Sequence, residues 1–268
     1  MVLYLFLTSL GIGIVCSLVF VPREAGVKFF RFNSGLAAIL IAVALAFRYA
    51  GEPPPARPGL AFQAGVVALV LAEAALVLYW ATVGRMWARI RPTLIAVSVG
   101  GGIAAVVLEA VATAAGRSLP VQALTVASFL SSAALLGGAC TAMVLGHWYL
   151  ILPSMRVSHL QSIVKVHIAS MVVRIVVVAA AVFFAIATWQ PGLGPSFRHY
   201  ITSVAGIFFW QRVLFGLAGP ALLSYLTWET AKIRSTQSAT GILYVDFFTV
   251  VVGEVLAKYL LLATRVPV

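Results

Sequence analysis

The segment 161–188, QSIVKVHIASMVVRIVVVAAAVFFAIAT, decides the fold class. Its residues 168–188 carry a single ionisable side chain, Arg174. An apolar helix of about 20 residues crosses the roughly 30 Å hydrocarbon core of a bilayer at 1.5 Å per residue. A helix is required there because lipid offers no hydrogen-bond partners to the backbone. The segment therefore predicts a transmembrane α-helix.

Similar apolar runs recur along the whole chain, separated by Pro, Gly and charged residues. Because irregular backbone is excluded from lipid, these punctuation points mark the connections between spans. The pattern predicts an all-α integral membrane protein with about eight transmembrane helices. The predicted spans are 2–21, 34–50, 60–83, 93–115, 121–151, 161–188, 201–229 and 239–263.

The composition excludes a water-soluble domain. Of 268 residues, 62% are hydrophobic and 9% are charged, whereas soluble domains carry about a quarter charged residues. The net charge of +11 comes mainly from basic residues in the short connections, so nucleic-acid binding is not expected. Cys16 and Cys140 fall inside spans, where thiols usually pack as small apolar groups. The first segment lacks a basic leading region, which predicts a retained helix rather than a cleaved signal.

The basic residues predict the orientation in the membrane. Connections one, three, five and seven hold ten Lys and Arg residues, and the other connections with the tail hold five. Because cytoplasmic loops retain positive charge, both termini are expected on the exterior side, in a bacterial inner (plasma) membrane. The larger set is Arg23, Lys28, Arg31, Arg85, Arg89, Arg91, Arg156, Lys165, Lys232 and Arg234, and the smaller set is Arg48, Arg57, Arg117, Arg198 and Arg265.

Two connections resemble each other. Residues 88–93, ARIRPT, match residues 231–236, AKIRST. A weaker match joins Val27-Lys28 to Val164-Lys165. A parallel duplication would give two four-helix halves, 1–118 and 119–268, related by an axis along the membrane normal. The alternative is that short interfacial loops look alike by chance.

Four ionisable residues lie near the middle of predicted spans: Glu73, Arg174, Arg212 and Glu254. Burying a charge in lipid costs several kcal/mol unless it pairs or meets water, so each is a functional candidate. One interpretation is two buried ion pairs that fix helix packing. The other is a polar pocket, in which the arginines donate to a carbonyl or carboxylate and Glu73 or Glu254 exchanges protons. Lys258 follows Glu254 at the spacing of an intrahelical pair.

His147 and His167 are expected at matching depth, about 5–9 Å below the cytoplasmic surface. Histidines on facing helices at one depth are able to hold a b-type haem by axial ligation, or to donate to a quinone carbonyl. They are equally able to be satisfied by backbone carbonyls or interfacial water.

The sixth predicted span places His167, Ser170, Met171 and Arg174 on one face. The seventh carries Trp210, Gln211 and Arg212 in an otherwise apolar helix, which we expect opposite that face. Such a slot suits a flat quinone head, although the same residues also suit a packing layer between helices.

In its layout the chain resembles the eight-helix quinol-interacting anchor subunits of the polysulfide and dimethyl sulfoxide reductase type. The resemblance covers the number of spans, two four-helix halves, exterior termini and length. It implies quinone binding and electron exchange with an iron-sulfur partner docked on the membrane. Members of that family place quinone-contacting residues largely in the first four helices, whereas the richest polar set here lies in spans five to eight. No residue role is therefore transferred.

The leading hypothesis is a quinone-binding anchor or electron-transfer subunit of a respiratory-type complex, in contact with lipid and other subunits. His147, His167, Arg174, Arg212 and Trp210 would line the site, with Glu254 or Glu73 as proton relay. Whether the chain is itself an enzyme stays open, because redox chemistry would need a partner. Motifs of soluble enzymes such as HExxH or GxSxG are absent from the sequence. The alternatives are a carrier for a small ionic solute and a structural subunit without a site.

Overall fold

The computed structural model of the chain describes residues 1–50, 59–151, 157–190 and 196–268. All regular secondary structure in these ranges is helical. The α-helices of the described residues are α1 Val2–Leu18, α2 Gly26–Ala50, α3 Leu60–Thr82, α4 Arg91–Thr113, α5 Leu119–Ile151, α6 Val157–Ala187, α7 Phe197–Thr202, α8 Ile207–Val213, α9 Gly219–Lys232 and α10 Thr236–Thr264. Arg57 and Arg156, and the proline-containing connections 53–58 and 191–195, lie outside the described residues.

The prediction of an all-α membrane protein is confirmed. Seven helical stretches in the described residues are long and apolar enough to cross a membrane, and α1 adds a shorter apolar helix. One of the seven is composite and runs from Val204 to Lys232. Helix α5 differs from the others because 83% of its most apolar window is buried inside the protein. It is therefore the central helix, and the others present more of their surface to lipid.

Two predicted connections are shorter than expected. After Pro22, a 3-10 turn over Arg23–Ala25 and a positive φ of 83° at Gly26 allow α2 to begin at once. Glycine reaches that φ without steric cost. Lys28 and Arg31 consequently lie on α2 rather than in a loop. Likewise α6 begins at Val157, four residues before the predicted span.

The seventh predicted span is not one regular helix. It consists of a 3-10 turn over Val204–Gly206, then α8, a π-helical turn over Leu214–Ala218, and α9. Pro220, at the start of α9, lacks the backbone N–H that would continue regular hydrogen bonding. A π turn widens the helix at this point, and such turns are frequently found at functional sites.

The helices form two closed rings. Helices α1, α2, α3 and α4 contact one another in that cyclic order, and so do α5, α6, α9 and α10. The rings meet where α1 packs on α5, with additional contacts of α4 to α5 and of α1 to α10. Each ring falls within one of the two predicted halves. A duplication of the halves stays a prediction, which this arrangement supports.

Tryptophans lie near the ends of spans, as expected for amphipathic rings at the headgroup level. Trp148 of α5 donates to the backbone oxygen of Ala25 over 3.2 Å. Trp228 of α9 has the ammonium groups of Lys165 and Lys232 over its ring, 5.2 and 5.4 Å from the centroid. These contacts lie at the ends of the rings for which the sequence predicts a cytoplasmic location.

Candidate functional site

The second ring encloses a group of charged side chains that we name the arginine cluster: Arg174 of α6, Arg212 of α8, and Glu254 and Lys258 of α10. Arg174, Arg212 and Glu254 are 0% exposed and Lys258 is 2% exposed. Burial of this extent is rare for charged side chains unless they are paired. Of the four mid-span residues predicted as a group, the structure brings three together here.

Glu254 is the centre of the cluster. Its Oε1 accepts from Nε of Arg174 at 2.9 Å and from Nη2 of Arg212 at 2.8 Å. Its Oε2 accepts from Nη2 of Arg174 at 3.1 Å. Arg174 thus binds the carboxylate in the bidentate geometry that its planar guanidinium favours. The interpretation as buried ion pairs is confirmed for Arg174 and Arg212, with one carboxylate shared by both.

Arg174 is satisfied on its other edge as well. Its Nη1 donates to the hydroxyl of Ser128 at 2.8 Å and lies 3.5 Å from the hydroxyl of Ser131, both on α5. Its Nη2 also donates to the backbone oxygen of Val268 at 3.2 Å. Arg174 therefore connects α5, α6, α10 and the segment after α10, which is the behaviour of a structural clamp.

Arg212 is held less completely. Its Nε and Nη1 are buried and have no hydrogen-bond partner among the described residues. The guanidinium lies where the π turn crosses α10 with Gly216 against Gly253, and a Cβ on Gly216 would overlap Nη1 of Arg212 and lie 2.6 Å from the Cα of Gly253. Because Gly216 and Gly253 have no side chains, their crossing leaves space for the guanidinium of Arg212. The π turn therefore positions an arginine that retains unused donors.

Lys258 does not form the predicted intrahelical pair with Glu254. Its ammonium donates to the hydroxyl of Ser132 at 3.0 Å and lies 4.6 Å from the ring centroid of Phe129. The physical reason is that the two arginines already occupy the carboxylate of Glu254. A hydroxyl and an aromatic face compensate the ammonium only in part.

His167 belongs to a second buried group. Its Nε2 lies 2.7 Å from Oδ2 of Asp246 on α10, and both side chains are 0% exposed. The expected face of α6 is confirmed, because His167, Ser170, Met171 and Arg174 are all buried. The sequence does not identify Asp246 as the partner of His167.

His147 does not share the depth of His167. Gly138, nine residues before His147 on α5, packs against the Cα of His167, so His167 lies roughly 13 Å deeper along that helix. The prediction of matching depth is wrong, and the start of α6 four residues early accounts for about 6 Å of the difference. His147 is exposed and its Nδ1 lies 3.0 Å from the hydroxyl of Tyr244. This arrangement does not fit a haem held by these two histidines.

Trp210 and Gln211 do not face α6. Trp210 is 51% exposed and its indole donates to the backbone oxygen of Ile201 at 2.9 Å. Gln211 is exposed as well. Because successive helical residues point about 100° apart, only Arg212 of the three reaches the interior. The predicted slot between this triplet and α6 is therefore wrong.

Glu73 lies in the first ring, apart from the arginine cluster, in a cavity between α2 and α3 that we name the α2–α3 groove. The groove has a volume of about 670 Å³. Oε2 of Glu73 is buried there and has no hydrogen-bond partner among the described residues. Its lining residues include Lys28, Arg31, Ile39, Glu73, Val77 and Trp80.

The groove is apolar along its length and basic at one end. Arg31 lies over the ring of Trp80, 5.5 Å from the centroid, near the predicted cytoplasmic ends of α2 and α3. Glu73 precedes Trp80 by seven residues on α3, which places it two turns, or about 10 Å, deeper. Ile39 and Val77 on the lip are 64% and 42% exposed, so the groove opens toward lipid.

A third buried ion pair is not predicted from the sequence. Arg48 of α2, counted above among exterior connections, bonds Glu109 of α4 at 2.8 Å, and both side chains are nearly buried. The hydroxyl of Tyr4 on α1 donates to the same carboxylate oxygen at 3.2 Å. The guanidinium of Arg48 also lies over the rings of Tyr4 and Phe62. These contacts join all four helices of the first ring.

No protein-family model matches this sequence, and a search of curated proteins finds no match. The functional assignment therefore rests on the geometry of the chain's own residues.

Proposed function

We propose that the chain is a quinone-binding membrane subunit and that the quinone head binds in the α2–α3 groove beside Glu73. The observation that carries the proposal is a lipid-facing apolar cavity that ends at a buried carboxylate oxygen, for which the described part of the chain offers no hydrogen-bond partner. A quinol needs such a cavity for its ring, an acceptor for its hydroxyl, and an opening toward lipid for its isoprenoid tail.

The roles of the lining residues follow from their positions. Glu73 accepts the proton that a quinol hydroxyl releases when the ring loses electrons. Oxidation of a quinol to a quinone releases two protons and two electrons in all, so Glu73 would pass the first proton to water before it accepts the second. The electrons would pass to a redox centre of iron-sulfur type on a partner protein, as the resemblance to anchor subunits implies. Trp80 and the apolar residues of α2 would enclose the ring.

This location changes the residues assigned to the site. Arg174, Arg212 and Glu254 are packed against one another at 0% exposure, so a quinone arriving from lipid would have to separate α6, α8 and α10 to reach them. The α2–α3 groove requires no such opening. It also lies in the first four helices, where the resembled family places its quinone contacts.

The proposal is tested by quinone binding to the purified protein in detergent. Trp80 lines the groove, so a bound short-chain quinone or its reduced quinol should quench its fluorescence. We expect saturable quenching in the wild type and an affinity for the quinol reduced about 10- to 100-fold in Glu73→Gln, because the quinol hydroxyl then loses a hydrogen bond to a charged acceptor, which contributes about 1.5–3 kcal/mol. The matched control is Glu229→Gln, which changes a half-exposed carboxylate on α9.

Trp80→Phe identifies the reporter, because it should remove the saturable quenching without preventing binding, as measured by extraction of bound quinone. Equal affinities in wild type and Glu73→Gln would overturn the placement of the head at Glu73. Absence of any saturable binding, with both ubiquinone and menaquinone analogues, would overturn the function.

A further inference from the structure

The interior of the second ring contains more positive than negative charge. Arg174, Arg212 and Lys258 face one carboxylate, Glu254, within the arginine cluster. Asp246, eight residues before Glu254 on α10, adds the second buried carboxylate of the described part of this ring. Counted over Arg174, Arg212, Lys258, Glu254 and Asp246, the formal charge of these side chains is +1. Uncompensated charge in a nonpolar interior is strongly unfavourable, so a compensating anion would stabilise this arrangement.

The unused donors of the cluster lie on the two cations that protein groups satisfy least. Arg212 uses Nη2 for Glu254, while its Nε and Nη1 are buried without partners among the described residues. The hydrogen bond found for Lys258 is the one to Ser132, and an ammonium group has three N–H donors. Buried donors of this kind usually have a partner, and a missing one points to an ion or water.

A cavity lies at the predicted exterior end of the second ring, and we name it the vestibule. Its volume is about 880 Å³, and its charged lining residues are Arg117 and Arg265, with no carboxylate among the described lining residues. Val266 and Pro267 form part of its wall. The next residue, Val268, is buried and gives its backbone oxygen to Arg174.

We propose that the second ring binds a small monovalent anion between Arg212 and Lys258, and that the anion enters through the vestibule. One negative charge balances the formal excess of +1. The anion accepts from Nε of Arg212 and from the ammonium of Lys258, in the charge-assisted geometry that guanidinium and ammonium groups offer. The two arginines of the vestibule raise the local concentration of anions at the entrance. Because the side chains of the cluster are 0–2% exposed, the proposal is limited to anions as small as a halide or acetate.

The site is independent of the α2–α3 groove, so the two proposals succeed or fail separately. The experiment uses the purified full chain in detergent with gluconate as the only anion, to which chloride or acetate is added. The readouts are the midpoint of thermal unfolding and the equilibrium binding of radiolabelled chloride. In the wild type we expect a rise of the midpoint with anion concentration and saturable binding to one site.

Two variants probe the site itself. Lys258→Met leaves both arginine pairs with Glu254 in place, and Arg212→Gln leaves the bidentate pair of Arg174. Each should weaken anion binding about 10- to 100-fold, in line with one lost hydrogen bond to a charge. Lys232→Met is the control, since this lysine is half-exposed and pairs with Glu229. It should bind anions as the wild type does.

Three outcomes would overturn the proposal. The first is no difference between gluconate and either test anion in the wild type. The second is unchanged binding in a folded Lys258→Met variant. The third is binding abolished by Arg117→Gln with Arg265→Gln but retained in Lys258→Met, which would place the anion in the vestibule alone. A preference for acetate over chloride, or the reverse, identifies the class of anion within the proposal.

Discussion

Gly13 of α1 lies directly against the backbone of Gly137 of α5, and a Cβ on either residue would overlap the other helix. This crossing joins the two rings. Small residues allow transmembrane helices to approach closely, which strengthens van der Waals packing where no hydrophobic effect operates between helices. Because α5 is the central helix, we infer that close packing at this crossing stabilises the association of the two halves.

We expect Gly137→Ala to lower the midpoint of thermal unfolding. Overpacking a close contact typically costs about 1–3 kcal/mol, more than the roughly 1 kcal/mol that alanine gains over glycine in helix propensity. Gly100→Ala is the matched control, because a Cβ there meets no atom within 4 Å. The midpoint is measured in detergent by intrinsic fluorescence. Equal or higher midpoints for Gly137→Ala would show that the helices separate without cost.

The same crossing relates the two halves to each other. Tyr4 and Ser128 each lie nine residues before their crossing glycine, and Cys16 and Cys140 each lie three residues after it. In the first ring Tyr4 contacts the Arg48–Glu109 pair. In the second ring Ser128 contacts the Arg174–Glu254 pair at the corresponding place. These correspondences support the proposed duplication beyond the similarity of two connections.

Removal of the central carboxylate should be costly. In Glu254→Gln both Arg174 and Arg212 lose a buried counter-charge, and breaking a buried pair typically costs about 3–5 kcal/mol. We expect a marked loss of folded protein and a lower unfolding midpoint. Glu229→Gln, on the surface of α9, should change the midpoint little.

A double variant separates charge from packing at this position. If uncompensated charge is the cause, Arg212→Gln added to Glu254→Gln should recover part of the lost stability, giving a non-additive cycle. If the double variant loses the full sum of the losses of the two single variants, this explanation is contradicted. Glu254 would then act through packing alone.

The sequence predicts the buried charges better than it predicts their partners. A hydropathy pattern gives the depth of Arg174, Arg212 and Glu254. Because an unpaired charge in lipid is unfavourable in free energy, these side chains are expected to pair. The hydropathy pattern gives no information on which helices are neighbours. Glu73 is therefore expected near Arg174, Arg212 and Glu254, although its helix α3 lies in the first ring. Arg48 is assigned to a connection because it lies at the end of an apolar run. In the structure its side chain is nearly buried and pairs with Glu109.

Helix starts are a second source of error. The basic residues of α2 and α6 suggest loops, since positive charge is concentrated outside the hydrocarbon core. Both helices instead extend beyond the part of the chain expected to lie in the hydrocarbon core. Lys28 and Lys165 are exposed on their surfaces. Because α6 begins earlier than expected, His167 lies deeper in the membrane, where it contacts Asp246. No local pattern of residues indicates this deeper position. The partner of His167 therefore depends on tertiary packing.

The His167–Asp246 contact should be coupled in free energy. We expect His167→Gln and Asp246→Asn each to lower the unfolding midpoint and the double variant to lose less than the sum, because each single change leaves a buried polar group without its counterpart. His147→Gln should have little effect because that side chain is exposed. The comparison is made by denaturant or thermal unfolding in one detergent. A double variant that loses the full sum would mean that the two side chains do not interact.

The predicted orientation is open to a direct test by cysteine labelling. Ser118 lies between α4 and α5, Ala88 lies between α3 and α4, and both are exposed. With exterior termini, Ser118→Cys should react with a membrane-impermeant maleimide in intact cells, while Ala88→Cys should react only after the membrane is opened. The native Cys16 is largely buried and Cys140 is buried, so the unaltered chain should label weakly and serve as background. Labelling of Ala88→Cys but not Ser118→Cys in intact cells would reverse the orientation. The vestibule would then face the cytoplasm, and the basic end of the α2–α3 groove would face the exterior.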